Sequence, residues 1–196
     1  MRTMTEPPTD RLTYALSILA GDPCIQIGQG MQRACRELTL ADPVGAESEC
    51  PTDASLATWL CDEALFFTLI KEDRQTLVFC HSNGVLYYAT PQTQLAVACP
   101  SGTSILCQFT VDSLPGECTA RLLAFDVLSP KGADPAGRGE TLRGLAVHLP
   151  TPLCCVQWVG PRQYLTSQFL AELPHKTSGR VVLTPDSLFL VLLPSI

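Results

Sequence analysis

Formal charge is what this sequence has least of. Only 16% of its 196 residues are Asp, Glu, Lys or Arg, where a globular chain carries about 25%. Basic residues are scarcest: 13 Lys and Arg stand against 19 Asp and Glu, a net charge of −6. General binding to a nucleic-acid backbone needs a strongly basic face, so general DNA binding is excluded. No uninterrupted apolar run is long enough for a membrane helix. Two long stretches lack formal charge, but residues 75–111 are studded with Gln, Ser and Thr, and residues 144–161 are broken by Pro150 and Pro152. The ten cysteines include no Cys-x-x-Cys pair, which excludes a zinc knuckle and a redox dithiol. The three histidines, His81, His148 and His175, are dispersed and read as structural. No metal or cofactor is expected. The start, MRTMTEPPTDRLTYALSI, lacks the pattern of a signal peptide. The expectation is an intracellular protein, nuclear or cytoplasmic, with reduced and mostly buried thiols.

Hydrophobic residues make up 46% of the chain. That suffices for one domain, read as residues 10–196 behind a loose Pro-rich tail at 1–9. The sparse surface charge points to a protein partner. The sequence reads as organised around Trp59–Ile70, its longest strand-like run. Phe66, Phe67, Leu69 and Ile70 are too continuously apolar for a half-exposed strand, so burial on both faces is expected. Lys71–Arg74 then supplies a hairpin tip, and Ser82-Asn83-Gly84 a second turn before Val85–Ala89. The result is an antiparallel meander.

Helical spacing of Leu12, Ala15, Leu16 and Leu19 predicts a helix from Asp10, and Met31–Leu40 a second one. Asp42–Asp53 reads as a loop. Further strands are expected at Leu95–Ala98, Ser104–Val111, Ala120–Leu128, Arg180–Thr184 and Ser187–Leu193, with extended segments at Arg143–Leu149 and Cys154–Val159. Cys154 and Cys155 would point to opposite faces of a strand. Lys131–Arg138 reads as a mobile Gly/Pro-rich loop, and Tyr164–Leu173 as a helix stopped by Pro174. The class is α+β with antiparallel strands dominant.

Four segments in order carry a family resemblance. WLCDEALF at 59–66 resembles the Trp-Lys-Ala-Asp-Gly-x-Arg-Tyr that opens the guanylyltransferase domain of mRNA-capping enzymes, in the covalent nucleotidyltransferase and nucleic-acid ligase superfamily. SILCQFTVD at 104–112 falls where that family has Leu-Asp-Gly-Glu. LLAFDVLSPKG at 122–132 resembles Tyr-Leu-Ile-Tyr-Asp-Val-Leu followed by Gly, with Arg143 at the spacing of a later Arg. HKTSGRVVLTP at 175–185 resembles His-x-x-Asp-Gly-Leu-Ile-Phe-x-Pro, and the helix-like QYLTSQFLAELP precedes it as in the family.

The resemblance covers residues 51–185 and implies an antiparallel-strand-rich, ATP-grasp-like ligase catalytic fold without its oligonucleotide-binding domain. It also implies lost chemistry. Leu60 stands for the nucleophilic Lys, Glu63 for the Gly, Leu65 for the Arg, and Cys107-Gln108-Phe109 for Asp-Gly-Glu; no Lys follows Lys176. Trp59, Leu60, Asp62, Phe125, Asp126, Arg143, Ser178 and Gly179 are the residues expected to line a degenerate pocket, with none catalytic. Leu60, Leu65 and Phe109 are expected to fill it. The implied role is an inactive binding or scaffolding subunit of an RNA-related complex. The alternative is non-covalent binding of an RNA 5′ cap or nucleotide by Trp59, Phe125 or Trp158, as in import adaptors of the snurportin type. An active enzyme with a relocated Lys is the third reading. Lys71 in KEDR is the candidate nucleophile there, but it sits at a solvated turn beside two acids that would raise its pKa.

Overall fold

The computed structural model describes residues 3–4, 10–19, 43–44, 54–81, 85–91, 93–128, 134–185 and 188–192. In chain order they form β1 (Thr3–Met4), α1 (Arg11–Leu19), β2 (Pro43–Val44), β3 (Leu56–Cys61), β4 (Leu65–Glu72), β5 (Gln75–Cys80), β6 (Val85–Ala89), β7 (Ser104–Leu114) and β8 (Glu117–Val127). There follow α2 (Pro135–Leu145), β9 (Cys154–Val156), β10 (Gly160–Pro161), α3 (Ser167–Ala171), β11 (Thr177–Leu183) and β12 (Leu188–Leu192). The class is α+β and strand-rich. One sheet runs β1-β8-β7-β4-β5-β6, with β9 also on β8, and a second runs β10-β3-β11-β12-β2. All pairings are antiparallel except β8 with β9 and β12 with β2.

The meander is present as β4-β5-β6, and β4 is buried on both faces from Phe66 to Leu69. Trp59 is not part of it. The run Trp59–Ile70 is two strands in two sheets, separated by a turn at Asp62-Glu63 in which Glu63 takes φ 49°. Apolar residues on both sides of the turn hide the break, because hydrophobicity reports burial and not which sheet does the burying.

The first sheet packs on both sides. Phe67, Leu69, Phe109 and Leu122 face Ala15 and Leu19 of α1 and Leu142 of α2. Phe66, Leu106 and Phe125 face the second sheet, where Leu60, Val181, Leu183 and Leu190 meet them. Adjacent residues of β3 point opposite ways, so Trp59, Ala57, Val182 and Val191 form a third cluster with Leu165, Phe169 and Leu170.

Several expectations are corrected. Leu95–Ala98 forms no strand; Leu95, Val97 and Cys99 are buried against the first sheet, and Val97 N–H donates to Thr76 Oγ1 at 3.1 Å. Their alternate burial imitates a strand without a ladder. The Gly/Pro-rich stretch read as a loop from Lys131 is helical from Pro135. Asp134 caps it by accepting from Ala136 and Gly137 N–H, with Pro135 in the first turn. Arg143–Leu149 is the end of α2 and a 3-10 turn, not an extended segment. Tyr164–Leu173 holds only the short α3 behind a second 3-10 turn. Pro43–Val44, within the stretch read as loop, pairs with β12, and Thr3–Met4, within the tail, with β8. The remainder of both, the helix at 31–40 and the turn at 82–84 lie outside the described residues. The seven described cysteines are free, and Cys154 and Cys155 pack into different clusters.

Candidate functional site

The residues expected to line one pocket are dispersed, because β3 divides them between its two faces. Leu60 points between the sheets, 5% exposed, against Phe66 and Phe125. Trp59 points away, its ring 5.8 Å from Phe169 and 6.1 Å from His175. Phe125 is 1% exposed and edge-on to Phe66 at 6.1 Å. Ser178 Oγ donates to the Cys61 carbonyl at 3.4 Å. A Cβ on Gly179 would collide with the Val191 carbonyl, so this position requires Gly for close approach of β11 to β12. Asp62 lines a separate cavity with Lys176.

The expected plug of Leu60, Leu65 and Phe109 is corrected as well. Leu65 and Phe109 are register partners on β4 and β7 and pack on the α1 side of the first sheet. Leu60 alone lies between the sheets. The strand period of 2 explains it: in Cys107-Gln108-Phe109 the residue facing the second sheet is Gln108.

Gln108 is 0% exposed and makes the main polar link between the sheets. Its Oε1 accepts the Cys61 N–H at 3.0 Å, and its Nε2 donates to the Trp59 carbonyl at 2.9 Å and to Gln157 Oε1 at 2.6 Å. The carboxamide thereby satisfies the edge of β3 as a neighbouring strand would. Gln157 Nε2 donates in turn to Trp59 O at 2.9 Å and Thr58 Oγ1 at 2.6 Å, and Thr58 Oγ1 donates to Trp158 O at 2.6 Å. The network has donors matched to acceptors, as a buried polar cluster must. A buried Gln inside SILCQFTVD is the signal that marks it in the sequence.

A second network includes the histidine read as merely structural. The Trp59 indole N–H, which can only donate, lies 2.9 Å from His175 Nε2, so that nitrogen carries a lone pair. The proton sits on Nδ1 and is donated to Asp112 Oδ1 at 2.8 Å, while Asp112 Oδ2 accepts from Arg121 Nε at 2.9 Å. Burial alone would raise the Asp112 carboxyl, but the hydrogen bonds from His175 and Arg121 hold it below its ordinary value. With Nε2 engaged by Trp59, His175 is a strut and has no free nitrogen for general-base work.

Arg143 is exposed on α2. The arginine that engages Asp126 is Arg138, five positions earlier and 6% exposed. Its Nε donates to Asp126 Oδ1 at 2.8 Å, and its Nη2 and Nη1 donate to the carbonyls of Thr184 at 2.8 Å and Pro185 at 3.1 Å. Burial pushes Asp126 up despite this partner. Burial also drives the Cys61 thiol to about 12 and Cys107 well above the thiol range, so neither is a nucleophile. Among the described residues no cluster of His, Cys, Asp and Glu could hold a metal ion, and no helix is long and apolar enough to cross a membrane. No protein-family profile matches the chain, and no curated protein is significantly similar to it.

Proposed function

We propose that the chain is a degenerate relative of the capping-enzyme nucleotidyltransferase domain that serves as a binding or scaffolding subunit in an RNA-related complex. The observation that carries this reading is Leu60. It stands where the family has its nucleophilic Lys, and it is packed between the two sheets against Phe66 and Phe125. The polar space beside it is taken up by Gln108 and Gln157 bonded to one another and to β3. A triphosphate there would displace buried apolar groups worth about 1.5–3 kcal/mol each and leave its oxygens short of donors. Two backbone features support the resemblance itself. Glu63, in place of the family's Gly, holds the left-handed φ of 49° that Gly adopts freely. Gly179, matching a family Gly, stands where no side chain fits.

The cap-binding reading has less support. Trp59 and Phe125 are buried, and of its three aromatics Trp158 alone is exposed, at 40%. Purified protein incubated with labelled GTP or ATP and Mg²⁺ or Mn²⁺, then denatured, is expected to carry no label. A persistent adduct that disappears in Lys71→Ala or Lys176→Ala would overturn the reading. Cap analogues, methylated or not, are expected to leave tryptophan fluorescence unchanged.

A further inference from the structure

A cavity of about 590 Å³ opens where the β3–β4 turn, the start of α1, the end of β7 and residues 170–177 meet. None of the apolar residues that fill the space between the sheets lines it. Arg11, Lys176, Asp62 and Glu63 contribute charge to its wall, two of each sign, and Leu170 and Leu173 contribute an apolar face.

Arg11 is the anomaly. Its Nη1 reaches Glu63 Oε2 at 3.4 Å, a long contact to a carboxylate that is 71% exposed. Its Nε and Nη2 are out of water and have no hydrogen-bond partner among the described residues. Those two nitrogens form the edge of a guanidinium that grips a carboxylate through parallel bonds. A buried donor left without a partner is a cost that a bound oxyanion would remove. Asp62 and Lys176 are tied together through their backbones, Asp62 N–H to Lys176 O at 2.8 Å, and neither side chain makes an ion pair among the described residues.

We propose that this cavity binds a small zwitterion of the α-amino-acid class. The carboxylate takes the free edge of Arg11, the ammonium takes Asp62, and an apolar side chain lies against Leu170 and Leu173. The charge balance selects this class: a polyphosphate would face Asp62 and Glu63, and a simple cation would face Arg11 and Lys176. For the carboxylate to reach Nε and Nη2 the guanidinium turns, and the described contact it gives up is the long one to exposed Glu63. The proposal holds whether or not the chain descends from nucleotidyltransferases, since the cavity lies outside the packed space between the sheets.

The test is calorimetric titration of the full chain with single L-amino acids, and separately with inorganic phosphate and with GTP. Leucine, methionine or phenylalanine is expected to bind saturably and glycine more weakly. Arg11→Met and Asp62→Asn are each expected to weaken binding at least tenfold, with phosphate failing to compete. The melting temperature of Arg11→Met without ligand is expected to hold or rise, since it removes unpaired buried donors; a purely structural Arg11 would lower it. If that variant fails to fold, Arg11→Lys keeps the charge without the bidentate edge and must weaken binding likewise. Absence of amino-acid binding by the folded chain, binding unchanged in these variants, or binding of phosphate alone would each overturn the proposal. Binding of GTP alone would overturn it and the closed-cleft reading together, whereas failure of every titration would leave the closed cleft standing.

Discussion

Gln108 Nε2 lies 2.6 Å from Gln157 Oε1, and both amides converge on the carbonyl of Trp59. Replacing Gln108 by Leu strips the Cys61 N–H of its acceptor and Gln157 Oε1 of its donor. Each orphaned buried group costs about 1–3 kcal/mol, so Gln108→Leu is expected to destabilise by roughly 2–6 kcal/mol in urea unfolding. Gln157→Leu should cost less, about 1–3 kcal/mol, because Trp59 O keeps Gln108 Nε2 and Thr58 Oγ1 keeps Trp158 O. The double variant should cost less than the sum, because the two amides are partners.

Leu60→Lys tests the closed space from the other direction. An ammonium between Phe66, Phe125 and Val181 finds no carboxylate in that cluster, and an unpaired buried charge costs on the order of 3–5 kcal/mol. Glu63→Gly is expected to have the opposite sign or none. It releases a positive φ, worth up to about 1 kcal/mol, against loss of the long Arg11 contact. The double variant should therefore melt lower than wild type and gain no nucleotide transfer.

Arg138 and Arg143 lie on the same helix and should behave differently. Arg138→Met leaves Asp126 buried without its cation and the Thr184 and Pro185 carbonyls without their donor, a loss of about 3–5 kcal/mol. Arg143→Ala removes an exposed side chain and should stay within about 0.5 kcal/mol of wild type. Parallel thermal melts separate the two.

Stability should fall on mild acidification. Burial lowers His81 from 6.5 to about 4, so the unfolded chain takes up that proton first as pH drops. Stability is present above 6.5, is lost progressively between 6.5 and about 4, and amounts to a few kcal/mol in all. Asp112, held below its ordinary 3.8, adds a further loss as pH falls through its lowered value; Asp126, held above it, acts in the opposite sense. Urea unfolding at pH 7.5 and 5.0 should show the His81 part directly, with His81→Gln flattening the difference.

Class was legible because strands leave a period in the sequence; strand number was not, since Leu95–Ala98 and Arg143–Leu149 are not strands and Trp59–Ile70 is two. Ser104–Val111 is strand throughout, Ala120–Leu128 is strand as far as Val127, and Phe66–Leu69 is buried on both faces as expected. The division of Trp59–Ile70 was not legible, since two apolar strands flank a turn of ordinary polar residues. The helix at Pro135–Leu145 was masked by three internal glycines and its Pro, although Asp134-Pro135 is a good start signal. Which residues share a face depended on parity: placing Phe109 instead of Gln108 between the sheets was a one-residue slip. The Asp112–His175–Trp59 strut joins positions 53 and 116 residues from Trp59, and no local pattern announces such a contact.

The central claim is that the space between the sheets is closed to nucleotide. Its most direct test is an NMR titration of the wild-type chain with GTP and Mg²⁺ at millimolar concentration, following the Trp59 indole and the Gln108 and Gln157 side-chain amides. The account predicts that these signals stay unmoved, because Leu60, Phe125 and the two amides already fill the site. A saturable shift of all three sets would contradict it, above all if Leu60→Lys then carried a covalent guanylate.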